Sequence, residues 1–163
     1  MNIYGYCRIS TAKQSIDRQI RNIKAEYPTA HIVQEAYTGT SIFRPEWLKL
    51  YRILKSGDTV VFDSVSRMSR NAEEGFALYE DLYHKGIRLV FLKEHHIDTE
   101  TYKKALSGSI AMTGTNVDFI LKGINEYLMA LAKEQIKLAF EQSEKEVADL
   151  HQRTREGLLT ARL

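Results

Sequence analysis

Residues 3–23 read Ile-Tyr-Gly-Tyr-Cys-Arg-Ile-Ser-Thr-Ala-Lys-Gln-Ser-Ile-Asp-Arg-Gln-Ile-Arg-Asn-Ile, and this stretch decides the fold. Ile3 to Cys7 is short, apolar and aromatic, as a buried first strand requires. The polar turn Arg8-Ile9-Ser10-Thr11 follows. From Ser15 the period changes: Ile16, Ile20 and Ile23 recur at helical spacing, with Asp17, Arg18, Arg21 and Lys24 on the other faces. Pro28 ends this helix.

The alternation continues outward. His31 to Glu35 reads as a second strand, and Thr38-Gly39-Thr40-Ser41 as a polar loop. Pro45 suits the first turn of a helix whose apolar face is Trp47, Leu48, Tyr51 and Leu54. Ser56-Gly57-Asp58 stops it. Thr59 to Phe62 is a third strand, Ala72 to Tyr83 a helix closed by His84-Lys85-Gly86, and Ile87 to Leu92 a fourth strand. Strands alternating with helices imply an α/β three-layer sandwich around a mostly parallel, four- to five-stranded sheet. After residue 100 the texture changes, with loop or short-helix material around Ser107 and Thr113-Gly114-Thr115. From Asp118 to about Thr160 there is no Pro, and Ile120, Ile124, Leu128, Leu131 and Leu138 keep helical spacing. A helix of that length is a rod of about 60 Å, so its far end lies on a partner or in solvent. The expected division is a domain over 1–115 and a long helix over 116–163.

The 163 residues carry 23 basic and 21 acidic side chains, a net charge of +2, which argues against a polybasic nucleic-acid coat. The average hides local structure. Residues 1–60 hold 9 basic and 5 acidic residues, whereas 61–100 hold 5 and 8. The single Cys excludes an internal disulfide and a Cys-based zinc cage. No apolar run approaches the roughly 20 residues of a membrane span, and the amino terminus lacks a signal peptide's apolar segment, so the expectation is a cytoplasmic protein.

Two segments carry candidate chemistry. Arg8 and Ser10 lie just past the carboxyl end of the first strand, where ligands sit in open α/β sheets. A hydroxyl there is a candidate nucleophile and Arg8 a candidate anion clamp; alternatively, Ser10 and Thr11 cap the following helix. Asp63-Ser64-Val65-Ser66-Arg67-Met68-Ser69-Arg70-Asn71 lies past another strand end. Arg67 and Arg70, three apart, would share a face if they open a helix, with Ser69 as its cap. Arginines set against a helix dipole imply an external anion. Both segments would project from one sheet edge. A hydroxyl among guanidiniums suits a phosphodiester, and without a Gly-rich Walker loop a nucleoside triphosphate does not fit.

These residues resemble the serine recombinases, the family of resolvases, invertases and large serine integrases. Tyr6-x-Arg8-x-Ser10-x-x-x-Gln14 with Gln19 resembles its amino-terminal signature, and Arg67-x-x-Arg70 its second. Further matches are Gly57-Asp58, Ile97-Asp98-Thr99 and Arg153-Thr154-Arg155-Glu156-Gly157. The resemblance implies a reaction without metal or nucleotide cofactor. Ser10 would attack a phosphate of double-stranded DNA and form a 5′-phosphoserine link, freeing a 3′ hydroxyl. Four subunits, assembled from dimers, would cut, exchange strands by rotation and reseal. Arg8, Arg67 and Arg70 would activate the phosphate, with Tyr6, Gln14, Gln19 and Arg44 in support and Glu35 and Asp58 as accessory acids. Ser66 departs from the pattern, since many members carry Asp there.

Other residues take plainer readings. His95 and His96 point opposite ways if they lie on a strand, and fit a solvated or hydrogen-bonded role. Cys7 and Trp47 fit the core. Arg153, Arg155 and Arg162 are candidates for DNA phosphate contact. No helix-turn-helix or zinc ribbon follows the long helix, so a DNA-reading part is expected beyond residue 163. A second class stays open: a non-catalytic oligomerisation or DNA-associated regulatory module of the same fold.

Overall fold

A computed structural model describes residues 1–9, 13–36, 44–69, 71–107 and 113–161; at 9, 13–15, 105–107, 143–144 and 146–161 the description covers the backbone alone. Four strands, β1 (Ile3–Ile9), β2 (His31–Ala36), β3 (Thr59–Phe62) and β4 (Arg88–Phe91), form one sheet in the order β2-β1-β3-β4. Every pairing is parallel. The chain leaves β1 towards β2 through α1 (Lys13–Glu26), then crosses back over β1 to β3 through α2 (Pro45–Ile53). That reversal makes the β1/β3 boundary a topological switch point, with a crevice at the strands' carboxyl ends.

Side-chain alternation along the strands builds two cores. Tyr4, Tyr6, Val60, Phe62, Leu89 and Phe91 pack with Trp47 and Leu50 of α2 and with Tyr79 and Leu82 of α4 (Ala72–His84). Cys7, Val61 and Val90 face the other way, onto Ile16 and Ile23 of α1. Opposite directions of travel along the sheet put α1 and α2 on opposite faces when crossovers are right-handed, which yields the expected three layers.

Among the described residues three positions are left-handed and all are Gly: Gly57 (φ 94°) after α2, Gly86 (φ 80°) after α4 and Gly114 (φ 77°) ahead of the long helix. The structure adds three short elements to the expected set: α3 (Val65–Met68), a 3₁₀ turn at His95–Ile97, and α5 (Thr99–Ser107). The long helix α6 runs Asp118–Ala161, 44 residues. Its Ile136 and Phe140 are buried in the larger core, while Phe119, Ile120 and Tyr127 are exposed.

Several local readings are corrected. β1 continues through Arg8 and Ile9, because Arg8 pairs with Glu35 and Ile9 with Ala36. Arg67 does not open a helix shared with Arg70: α3 ends at Met68, and α4 begins at Ala72 with Asn71, not Ser69, as its cap. The Asn71 side chain accepts the Glu74 amide at 3.0 Å. His95 and His96 lie on the 3₁₀ turn rather than on a strand.

Candidate active site

At the carboxyl end of β1 the sheet thins. Tyr6 pairs with Phe62, the last residue of β3, so Arg8 has lost its neighbour on that side. Gln19 of α1 takes the vacant place. Its Oε1 accepts the Arg8 amide at 3.1 Å and its Nε2 donates to the Arg8 carbonyl at 3.1 Å. Gln19 is fully buried, so its amide extends the ladder where β3 has turned away.

The chain leaving β3 forms α3 above this end. Its first turn is held by a distant group, the Glu94 carboxylate, which accepts the Val65 amide at 3.0 Å. The Ser64 and Ser66 hydroxyls lie 2.6 Å apart. Two arginines join α3 to the sheet, and a third joins it to the start of α2. Arg8, only 6% exposed, donates from Nη2 to the Ser66 carbonyl at 2.7 Å. Arg67 donates from Nη1 to the Arg8 carbonyl at 3.2 Å. Arg44, just before α2, donates from Nη1 to the Met68 carbonyl at 2.7 Å. Thus the two sequence signatures, 59 residues apart between Arg8 and Arg67, interlock through reciprocal guanidinium–carbonyl bonds. These carbonyl bonds bring three guanidiniums together at the carboxyl end of β1, at the switch point.

Tyr6 lies beneath, its ring centroid 5.1 Å from that of Trp47. Burial pushes its hydroxyl up to about 12, opposed by the nearby Arg44 cation. On the other sheet face, burial and the Asp63 carboxylate push the Cys7 thiol up to about 12. Asp63 is a site feature that sequence reading passed over. Its Oδ1 accepts from Asn22 at 2.9 Å and its Oδ2 lies 3.3 Å from the Lys93 ammonium.

The expected residues therefore divide. Tyr6, Arg8, Gln19, Arg44, Ser66 and Arg67 converge on the β1 end. Ser10, the candidate nucleophile, follows directly on the last residue of β1 but lies outside the described residues, as do Arg70 and Arg162. Gln14 lies on α1, and Arg153 and Arg155 lie on α6, with the description there confined to the backbone. Asp58 is corrected. It sits at the amino end of β3, away from this edge, where its carboxylate accepts the amides of Asn2 at 3.0 Å and Lys55 at 2.9 Å. Burial would raise its pKa, but those two amides outweigh it and hold the carboxyl below its usual range.

The chain is similar in sequence to known proteins. The family model for the resolvase N-terminal domain matches residues 3–146. The transposon Tn21 resolvase of Escherichia coli is 27% identical over 159 residues, covering 94% of this chain and 83% of that protein. A resolvase of Clostridium perfringens (strain 13 / Type A) is 32% identical over 99 residues, 60% of this chain and 52% of that protein. A crystal structure of a resolvase family site-specific recombinase from Streptococcus pneumoniae aligns over 100% of this chain and 99% of its own, with a TM-score of 0.49 and 21% identity.

Proposed function

The chain belongs to the resolvase family of site-specific DNA recombinases, and from that premise we propose that Ser10 is the nucleophile of a metal-free phosphoryl transfer on double-stranded DNA. The Ser10 hydroxyl loses its proton and its oxygen bonds to phosphorus. The bond from phosphorus to the 3′ oxygen breaks, and that oxygen takes up a proton. The 5′-phosphoserine link keeps the energy of the phosphodiester, so the free 3′ hydroxyl of a new partner reverses the step without ATP.

The observation that carries this reading is the Arg8–Arg67 interlock. It holds two guanidiniums at the carboxyl end of β1, the strand that Ser10 follows in the sequence. Arg8, Arg67 and Arg70 would neutralise the non-bridging oxygens and the charge that grows on them during transfer. Gln19 keeps the Arg8 backbone in strand geometry, and Gln14, Tyr6 and Arg44 support the edge. Ser66 supplies a carbonyl to Arg8 and a hydroxyl to Ser64, in place of a carboxylate.

The proposed organisation is a catalytic domain over 1–115 and an oligomerisation helix over 116–163. The exposed Phe119, Ile120 and Tyr127 support a partner on the first half of α6. Dimers would pair into a synaptic tetramer, with Arg153, Arg155 and Arg162 on DNA phosphates. The site of action would be the cytoplasm, on nucleoid DNA; no helix among the described residues is long and apolar enough to cross a membrane.

The test is a denaturing gel for the protein–DNA adduct with a randomised duplex library. Wild-type protein forms the adduct with and without a metal chelator. Ser10→Ala keeps the fold and forms none; an adduct from the alanine protein would remove Ser10 from the role.

A further inference from the structure

The short helix α3 is where the site's arginines meet. Arg8 donates to its Ser66 carbonyl, Arg44 donates to its Met68 carbonyl, and its own Arg67 donates to the Arg8 carbonyl. A helix of four residues cannot hold itself, because a first helical turn is costly to form without tertiary support. Its own sequence gives little help. Ser64 stands at the cap position, but its side chain makes no capping bond; its hydroxyl lies 2.6 Å from that of Ser66 instead. The first turn of α3 carries no acidic residue.

The support comes from another strand. Just past β4, Glu94 Oε2 accepts the Val65 amide at 3.0 Å. The arm that presents this carboxylate is itself pinned. Beyond the strand ends, the Leu92 and Lys93 amides still donate to the Phe62 and Asp63 carbonyls, at 3.0 and 3.1 Å. The Glu94 amide then donates to the Phe91 carbonyl, and its carbonyl accepts the Ile97 amide, both at 3.1 Å. Ile97 is buried in the larger core, and Asp98 Oδ1 accepts the Phe91 amide at 2.7 Å. The Val65 side chain is buried in the same core. Apolar packing is non-directional and would let α3 rock about that anchor. The bond from Glu94 is directional and charge-assisted, and it fixes the rotation.

We propose that Glu94 is a positioning residue for DNA cleavage: by holding the Val65 amide it sets the orientation of α3, and through α3 the placement of Arg8, Arg44 and Arg67 at the reacting phosphate. This rests on the recombinase reading of the site. Glu94 acts through α3 and touches no reacting atom. A catalytic constellation works only within about 0.5 Å of its productive geometry, and a guanidinium at the end of a long side chain amplifies any rocking of its backbone.

Three substitutions test this, because bond and charge predict opposite orders. Glu94→Gln keeps an oxygen at the same reach without the charge. Glu94→Asp keeps the charge but falls one methylene short. Adduct formation on the randomised duplex library is timed well below each variant's thermal midpoint, so that a folding defect is not read as a slow reaction. Glu94→Ala and Glu94→Asp lose about a hundredfold, the scale of a misplaced catalytic group. Glu94→Gln stays within about tenfold of wild type, having lost only the charge assistance. The loss falls on the maximal rate and not on the duplex concentration that gives half of it, because the guanidiniums keep their charge and lose their aim. Without DNA, hydrogen exchange at the Val65 amide is faster in the alanine and aspartate variants than in wild type or Glu94→Gln. If Glu94→Ala does not fold, the contrast between Gln and Asp decides.

Four results overturn the proposal: folded Glu94→Ala or Glu94→Asp protein as fast as wild type, Glu94→Gln as slow as Glu94→Asp, a loss confined to duplex affinity, or a Val65 amide whose exchange ignores the substitutions. A wild-type protein that forms no adduct would overturn the recombinase reading and this proposal with it, and its own lane distinguishes that failure from the other four.

Discussion

The ring of Phe140 in α6 lies against the bare backbone of Gly75 in α4: a Cβ at Gly75 would come within 2.5 Å of two ring carbons. Phe140 is itself 1% exposed, so the ring has nowhere to go. The long helix is docked on the domain at a contact that only Gly permits.

Gly75→Ala therefore destabilises the protein by about 1–3 kcal/mol, the usual cost of overpacking a filled core. The thermal midpoint falls by about 2–4 °C for each kcal/mol in a domain of this size. Pairing it with Phe140→Leu recovers part of that loss, since the smaller side chain makes room. A Gly75→Ala midpoint equal to wild type would show that α6 sits away from α4 in solution.

Gln19→Leu removes the side-chain amide that stands in for a strand beside Arg8. The Arg8 carbonyl keeps its bond from Arg67, but the buried Arg8 amide loses its acceptor. We expect a loss of about 1–3 kcal/mol, the cost of one orphaned buried donor, with a lower adduct rate. Equilibrium unfolding in urea measures the first and the denaturing gel the second. Unchanged stability would mean that water reaches the Arg8 amide.

His95 couples the fold to pH. Its Nδ1 lies 2.7 Å from Asp98 Oδ2, and its Nε2 faces Glu26 at 3.9 Å. The hydrogen bond to Asp98, more than the nearby charges, raises its pKa. A cation with a raised pKa contributes its stability below the unfolded value of about 6.5 and loses it as pH climbs through the folded value. The wild-type midpoint should thus fall between about pH 6 and pH 8 by more than that of His95→Gln. The His95 ring is half exposed, so the difference is small. NMR titration of the His95 ring gives the direct check, and a pKa below that of a free imidazole would contradict it.

Cys7 should resist chemistry. With its thiol buried and pushed up to about 12, native protein remains unmodified by iodoacetamide at pH 8, whereas unfolded protein reacts at once. Intact-mass measurement reads the outcome. Rapid native labelling would mean that β1 opens away from α1. Cys7→Ser should leave adduct formation intact, separating this thiol from the serine three residues on.

Much of the architecture was legible because it rests on strong local signals. Ile16, Ile20 and Ile23 mark α1, Pro45 opens α2, and Gly57 and Gly86 close turns that need positive φ. What escaped depends on partners distant in the chain. α3 is four residues long, and its first amide is satisfied by Glu94, 29 residues away. Arg8 reads as a turn residue, yet it lies within a strand, where Gln19 and Ser66 meet its backbone and side chain. Asp58 matched a motif, but pairing with Asn2 and Lys55 shows it holding a turn. Glu35 was visible as an acidic position; that it is buried against the first-turn amides of α2 is a property of packing alone.

The place of β1 in the sheet has a mechanical consequence. β1 is interior, with six residues in register with β2 and four with β3. A pull on the chain just beyond Ile9 runs along the strand axis, so the ladder bonds on both flanks resist together in shear and none is unzipped singly. An edge strand would peel. If DNA hangs from Ser10 while duplexes turn about one another, the tension passes straight into the most firmly moored strand of the domain.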